Sequence, residues 1–197
     1  MFPVPFTARG LIQTLVLTAG VLFMKWCLTL LVAFLSFAAH GAWIDSTGKP
    51  IPDTEGMRSS GDFGVQLVLT ADEGQFRQTW NSSKTPPKLS NTNTVRLGAS
   101  VSALLIFHGC SPNVVGVCDV VAEFIFEDTN GKNTPAGGGP VWSGKTMQQR
   151  LLQLGQASMT IGFDKTDPIG DYKITANIKD KVSNRAVSAV SRLKVTN

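Results

Sequence analysis

The fold is decided most directly by residues 167–180, DPIGDYKITANIKD. Its first four residues have turn composition, because proline fixes φ at the second position and a glycine accepts a positive φ. Beyond the turn, apolar and polar residues alternate with the period of a half-buried strand. The apolar face carries Tyr172, Ile174, Ala176 and Ile178, and the polar face carries Lys173, Thr175, Asn177 and Lys179. The stretch predicts a turn that leads into a strand with one buried face.

The same alternation recurs between turn-forming residues along the chain. It predicts strands at 63–70, 95–107, 120–126, 159–163 and 187–195, with 76–80 as a short partner strand. The run 101–107 is almost wholly apolar, so this strand should be central. Residues 133–140 contain three consecutive glycines and two prolines, so no regular structure is expected there, while 145–154 fit either a helix or a strand. About seven short strands with at most one short helix predict an all-β fold, an antiparallel β-sandwich.

The order of turn, Gly170, Tyr172 and apolar strand resembles the sixth strand of immunoglobulin-like domains. In that family a tyrosine anchors a corner at this place, so the resemblance implies that Gly170 and Tyr172 form a structural corner. A cysteine follows two residues later in antibody domains, but Ile174 stands here, and 120–126 lacks the family's core tryptophan. The likeness covers roughly the final 80 residues. It is greatest to bacterial exported immunoglobulin-like modules, many of which are adhesive, scaffolding or ligand-presenting units.

Residues 1–42 have the composition of an export leader. Met24 and Lys25 precede an apolar run at 26–37 and a small-residue segment at 38–42, the order of a signal peptide cleaved after Gly41 or Ala42. A second apolar run at 11–23 leaves open whether Met1 or Met24 is the start. The alternative is an uncleaved inner-membrane anchor at 11–42. Otherwise, we expect a periplasmic or secreted protein with an irregular lead-in at 43–61 and an immunoglobulin-like domain at 62–197.

The charge of the domain does not indicate a nucleic-acid partner. Arg9 and Lys25 lie in the leader, so 16 of the 18 basic residues remain against 14 acidic ones. Nucleic-acid binding needs basic residues concentrated on one face or in one run, and no such run occurs. A membrane contact is expected only through the N-terminal segment if it is not cleaved.

Cys110 and Cys118 are the two cysteines outside the leader. An even pair in an exported chain predicts a disulfide. The enclosed residues, SPNVVGV, hold proline, asparagine and glycine between two apolar runs, so the bond should close the loop of a β-hairpin. The alternative is a reactive or metal-binding thiol pair.

Motifs that could carry chemistry lack their usual context. Residues 139–146 match the phosphate-binding pattern Gly-x4-Gly-Lys-Thr, but a Gly- and Pro-rich segment precedes them where a buried strand is needed. For His108 no catalytic or zinc-binding partners can be named, so we expect a hydrogen-bonded or solvent-facing loop histidine. The aspartates fall mostly at turns, which is their common use. The sequence predicts no catalytic residue, no metal site and no cofactor.

Trp80 and Trp142 lie in or beside polar loops. Exposed tryptophans are preferred at binding surfaces, although each could also close an end of the sandwich. The resulting hypothesis is a non-catalytic binding or scaffolding module that recognises an envelope protein or glycan. The alternatives are an envelope-glycan hydrolase or carbohydrate-binding protein, and a structural module that donates an edge strand to a partner.

Overall fold

The computed structural model describes residues 43–45, 47–82, 88–145 and 151–197. These residues form nine strands and one helix. In chain order they are β1 (Met57–Ser60), β2 (Phe63–Thr70), α1 (Glu73–Ser82), β3 (Thr94–Arg96), β4 (Ser100–His108), β5 (Val117–Glu127), β6 (Asn133–Lys145), β7 (Gln153–Gly162), β8 (Gly170–Asp180) and β9 (Arg185–Thr196).

The strands form two sheets. One has four strands in the order β1-β2-β4-β7, and the other has five in the order β3-β9-β8-β5-β6. β3 runs parallel to β9, and the other described pairings are antiparallel. A sheet built on β4 and β7, packed against one built on β9, β8 and β5, is the immunoglobulin-like arrangement. The predicted fold class is confirmed, with two strands more than expected.

The core lies between the two sheets. The alternating residues of 167–180 that were expected inside are buried: Tyr172, Ile174, Ala176 and Ile178. They face inward residues of the four-stranded sheet, among them Phe63, Val65, Leu105 and Phe107. The period-two pattern therefore gave the buried face of β8 correctly, because alternate side chains of a strand point to opposite faces.

Helix α1 covers the outer face of the four-stranded sheet, and the prediction of a strand at 76–80 is wrong. Asp72 caps the helix, since its Oδ1 accepts the Gln75 N–H at 2.8 Å. Phe76 is buried in a second apolar cluster with Val68, Leu104 and Ile106. β4 is thus buried on both faces between β2 and β7, which confirms that 101–107 is central.

The Gly- and Pro-rich segment forms most of β6, so the prediction of no regular structure at 133–140 is wrong. Pairing with β5 supplies the hydrogen bonds that hold it extended. A Cβ at Gly138 would collide with the carbonyl of Ala122, so the glycine permits this close approach. For the ambiguous 145–154, Gln153 and Leu154 belong to β7, and 146–150 lie outside the described residues.

The lead-in at 43–61 is only partly irregular, because its last residues form β1, which pairs with β2. The predicted leader at 1–42 lies outside the described residues, and so its cleavage and its anchor alternative stay predictions. Within the described ranges, no helix has both the length and the apolar character needed to cross a bilayer.

Candidate functional site

Four connections gather at one end of the sandwich, which we call the loop end. They are the β1–β2 turn at 61–62, the β4–β5 loop at 109–116, the β8–β9 turn at 181–184 and the described residues 151–152 of the β6–β7 connection. The registers place them together, since His108 pairs with Gly64, Phe107 pairs with Gln153, and Val120 pairs with Asp180. The connections at either end of an immunoglobulin-like sandwich are where such folds commonly present binding residues.

Most exposed large apolar side chains of the described residues lie at the loop end. Val114 is fully exposed and Val115 is 69% exposed at the tip of the β4–β5 loop. Three more are exposed in its other connections: Leu151, Leu152 and Val182. Scattered apolar side chains are common on protein surfaces, but several at one end indicate an interaction surface.

The tip of the β4–β5 loop is a hydrogen-bonded turn. The Gly116 N–H donates to the Asn113 carbonyl at 2.9 Å, and the Asn113 N–H donates to the Val117 carbonyl at 2.9 Å. The Asn113 side-chain oxygen also accepts the N–H groups of Val115 and Val117, each at 3.0 Å. The two valines are therefore presented by a turn with a defined shape, as expected for asparagine in this position.

A disulfide joins Cys110 to Cys118 across the base of this loop, with Cα atoms 6.0 Å apart, and so confirms the predicted bond. The prediction that it closes a hairpin is wrong, because β4 and β5 belong to different sheets. The bond spans the passage of the chain from one sheet to the other. Apolar runs on both sides of a loop resemble a hairpin in sequence, and only the partner strands decide between the two.

Asp180 ties the β4–β5 loop to the β8–β9 turn. Its carboxylate is fully buried and accepts the Ser111 N–H at 2.8 Å, the Val182 N–H at 3.0 Å and the Ser183 hydroxyl at 2.6 Å. Beside it, the Lys181 N–H donates to the Asp119 carbonyl, and the two side chains form an ion pair at 2.8 Å. In the sequence, Asp180 has only the features of a turn residue, and no pattern there indicates that it joins two loops.

The opposite end, which we call the corner end, contains Gly170 and Tyr172. The Tyr172 hydroxyl donates to the Pro168 carbonyl at 2.7 Å, and the ring packs against Phe126 and Phe163. Burial, together with nearby Asp167 and Asp128, raises the pKa of Tyr172. Gly170 begins β8 at φ 149°, and a side chain there would press on Thr129. These contacts hold the corner in one conformation.

Trp80 and Trp142, the candidate binding residues, lie in separate places and are partly buried. Trp80 is on α1 and packs on the cluster outside the four-stranded sheet. Trp142 is on β6 and packs on the main core, with its ring edge-on to Phe107 at 5.9 Å. The structure does not bring the two rings onto one surface, and a shared aromatic binding patch is not formed.

His108 is the last residue of β4 and is buried, so of the two expected environments the solvent-facing one is wrong, and the residue lies in a strand and not in a loop. Trp43 covers it edge-on at 4.7 Å, and Gly64 leaves space for its ring. The phosphate-motif match is also out of context, since 139–145 form part of β6, while Thr146 lies outside the described residues. A phosphate-binding loop needs backbone amides turned around the ligand, and strand pairing uses them otherwise.

Several aspartates accept hydrogen bonds from nearby groups, as their turn positions predict. Asp45 accepts the Thr47 hydroxyl and N–H, which lower its pKa, and Asp128 accepts the Asn130 N–H. Asp53 accepts the Ser59 N–H at 2.9 Å. Among the described residues, no group of three or more His, Cys, Asp or Glu side chains is placed to hold a metal ion.

Strand β6 lies at the edge of its sheet. Pro135 and Pro140 lack an N–H, and the pairing with β5 shifts register twice. Prolines and bulges of this kind blunt an edge strand against further pairing. The strand-donating alternative therefore gains no support from this edge.

No known protein family matches the chain, and no curated protein matches it. Among solved structures, a Niemann-Pick type C2 protein from Japanese carpenter ant aligns with 66% of this chain and 89% of its own, at 9% identity and a TM-score of 0.37. A CARDB domain from Pyrococcus furiosus, solved in complex with di-metal ions, aligns with 67% of this chain and 87% of its own, at 11% identity and a TM-score of 0.36.

A family 123 glycoside hydrolase from Clostridium perfringens aligns with 68% of this chain but only 27% of the enzyme, at 13% identity and a TM-score of 0.37. Similarity at these values carries no argument about function. The assignment of an immunoglobulin-like sandwich rests on the strand order and burial of this chain itself.

Proposed function

We propose that this chain is an exported, non-catalytic binding or scaffolding module that contacts its partner through the loop end. The observation that carries the proposal is the pair of exposed valines on a loop fixed by a disulfide and by Asp180. A fixed loop loses little conformational entropy on binding, so more of the contact energy becomes affinity. Export is supported by the disulfide, because such bonds persist in oxidising compartments.

The test compares two matched substitutions at opposite ends of the sandwich. Val114→Asp with Val115→Asp places charge at the loop end, and Ile169→Asp places charge on an exposed apolar residue at the corner end. Each full-length variant is expressed with an affinity tag in the native host and cross-linked in intact cells, and the proteins, glycans and lipids attached to the purified variant are identified. We expect the loop-end variant to lose the partners that the wild type retains, whereas Ile169→Asp keeps them.

Equal recovery with both variants would contradict the proposal. Because these side chains are exposed, the unfolding midpoints of both variants should stay near that of the wild type, which separates lost binding from lost folding. Any retained partner can then be titrated, and the loop-end variant should bind it at least about tenfold more weakly, a difference of about 1.4 kcal/mol.

A further inference from the structure

We propose that the partner of the loop end is a lipid bilayer surface, into which the tip formed by Asn113–Gly116 inserts Val114 and Val115. This inference rests on the proposed function, since it names the partner class of the same surface. It follows from four properties of the tip: its apolar side chains, its lack of charge, its internally bonded backbone and the end of the domain at which it lies.

The tip presents apolar side chains without any charge. Residues 109–117 contain no Asp, Glu, Lys or Arg. At the base of the loop, Asp119 pairs with Lys181, and the Asp180 carboxylate that accepts the Ser111 N–H is already buried. Lys145 lies opposite Val117 on β6, outside the tip. Moving a charge out of water is costly, whereas moving a valine side chain out of water is favourable. The tip can therefore enter an interface without desolvating an ion.

Most backbone N–H groups of the loop already donate hydrogen bonds within the protein. Five N–H groups between positions 111 and 117 donate to acceptors within the protein: those of Ser111, Asn113, Val115, Gly116 and Val117. Pro112 has no N–H to satisfy. An apolar medium offers no replacement partners, so internal bonding is what a segment needs to enter lipid. A protein partner, in contrast, could itself supply hydrogen bonds to unpaired backbone groups.

The composition of the tip also favours lipid over protein. The residues that dominate protein interfaces are tryptophan, tyrosine and arginine, which offer large contact areas and directed hydrogen bonds, whereas valine is under-represented. The tip offers two exposed valines instead, and further apolar side chains lie at the same end, at Leu151, Leu152 and Val182. A lipid surface needs no shape complementarity and accepts such side chains.

The polypeptide also joins the domain at this end. Trp43 begins the described chain and packs on His108, the last residue of β4. The 42 residues before it are the apolar sequence predicted to be a leader or an anchor. The anchor alternative would therefore tether the domain by the residue that packs on His108.

The test uses the full chain in lipid nanodiscs of phosphatidylethanolamine and phosphatidylglycerol, a fraction of which carry a spin label on the headgroup. Methyl resonances of valine and isoleucine are recorded by NMR, with Ile169 at the corner end as the internal control. We expect the Val114, Val115 and Val182 signals to be lost near the spin label and the Ile169 signal to be retained.

A variant with Val114→Ser and Val115→Ser separates insertion from simple tethering. We expect the Val182 signal to return in this variant, whereas Ile169→Ser should leave the loss of the Val114, Val115 and Val182 signals unchanged. Persistent loss at Val182 in the double variant would show that the tether alone brings this end to the bilayer and would overturn insertion by the valines. Unaffected Val114 and Val115 signals in the wild type, or equal loss at Ile169, would also overturn it.

Failure of this inference is distinguishable from failure of the proposed function. If the spin label leaves the loop-end signals intact but the aspartate variant still loses its cross-linked partners, the surface recognises a protein or glycan and only the lipid inference fails. If the signals stay intact and both aspartate variants keep the same partners, both proposals fail.

Discussion

At the corner end, the rings of Phe126, Phe163 and Tyr172 pack on one another, whereas at the loop end Val114 and Val115 are exposed to solvent. Both ends are fixed, one by a tyrosine hydrogen bond and the other by a disulfide and a buried carboxylate. Rigidity at the corner end therefore accompanies burial of apolar side chains, whereas rigidity at the loop end keeps apolar side chains exposed to solvent.

Among substitutions at the two ends, we expect the largest loss of stability at Asp180, in the loop end. Asp180→Ala removes the fully buried acceptor of the Ser111 N–H and the Ser183 hydroxyl and leaves these partly buried donors without it. We expect a loss of about 3 kcal/mol in the free energy of unfolding, measured by urea denaturation. Asp164→Ala, an exposed aspartate at the corner end, is the matched control and should change it by less than about 0.5 kcal/mol. Similar losses in both variants would contradict the role of Asp180.

The disulfide should contribute nearly as much. Replacing Cys110 and Cys118 together by serine removes a bond that spans eight positions of sequence. On the chain-entropy account the free energy of unfolding should fall by about 2.5 kcal/mol. Reduction of the wild-type protein should give the same loss, and reductant should not affect the double serine variant. A reductant-sensitive midpoint in the variant would refute this interpretation.

At the corner end, Tyr172→Phe removes one hydrogen bond and keeps the ring. We expect a loss of about 1 kcal/mol, because only the contact with the Pro168 carbonyl disappears while the packing on Phe126 and Phe163 stays. Chemical denaturation of the two proteins side by side measures it. An unchanged unfolding midpoint would show that the Tyr172 hydroxyl does not stabilise the corner.

Titration of Tyr172 reports on the same corner without a substitution. It is the single tyrosine of the chain, so tyrosinate absorbance reports this residue alone. Burial, with the charges of Asp167 and Asp128, raises its pKa in the folded protein. The stability from this group is therefore intact below about pH 10, the unfolded pKa, and is lost as pH rises through the folded pKa. Equal pKa values in native buffer and in urea would disprove this.

The smallest effect is expected at the tip of the β4–β5 loop. Val114→Ser with Val115→Ser should change the free energy of unfolding by less than about 0.5 kcal/mol per site, since both side chains are exposed. Thermal and urea unfolding measure the change. A large loss would mean that the valines serve folding, and the contrast between the two ends would disappear.

The alternation of apolar and polar residues predicted the strands that have one buried face and one exposed face. β8 follows it closely, because one of its faces lies in the core, whereas β2 is buried on both faces because α1 covers the outer one. Strand β6 escaped prediction because Gly137–Gly139 have no side chains to alternate. Gly138 and Gly139 pair with β5, whereas Gly137 lies at a shift of register. The sequence contains a signal for helix α1 that the strand prediction overlooked. Asp72 caps the helix by accepting the Gln75 N–H, and Phe76 and Trp80 are spaced to lie on one helix face.

The candidate site was less predictable than the fold. The disulfide could be predicted from the sequence, but the passage of its loop between the sheets could not, because it depends on strand pairing far along the chain. The polar sequence neighbours of Trp80 and Trp142 favour exposed positions for both side chains. Each ring nevertheless packs on an apolar cluster to which other elements contribute. Two adjacent valines between Asn113 and Gly116, at positions where turns usually carry polar residues, were the signal for the exposed tip.

Because the Cys110–Cys118 bond bridges the passage between the sheets, it also governs what a protease could do there. A cut between Ser111 and Val117 would open the tip yet leave the two fragments covalently linked, so the nicked molecule would stay whole until it met a reductant. In the exported location that we propose, where reductants are scarce, such a cut would disrupt the tip without releasing either half.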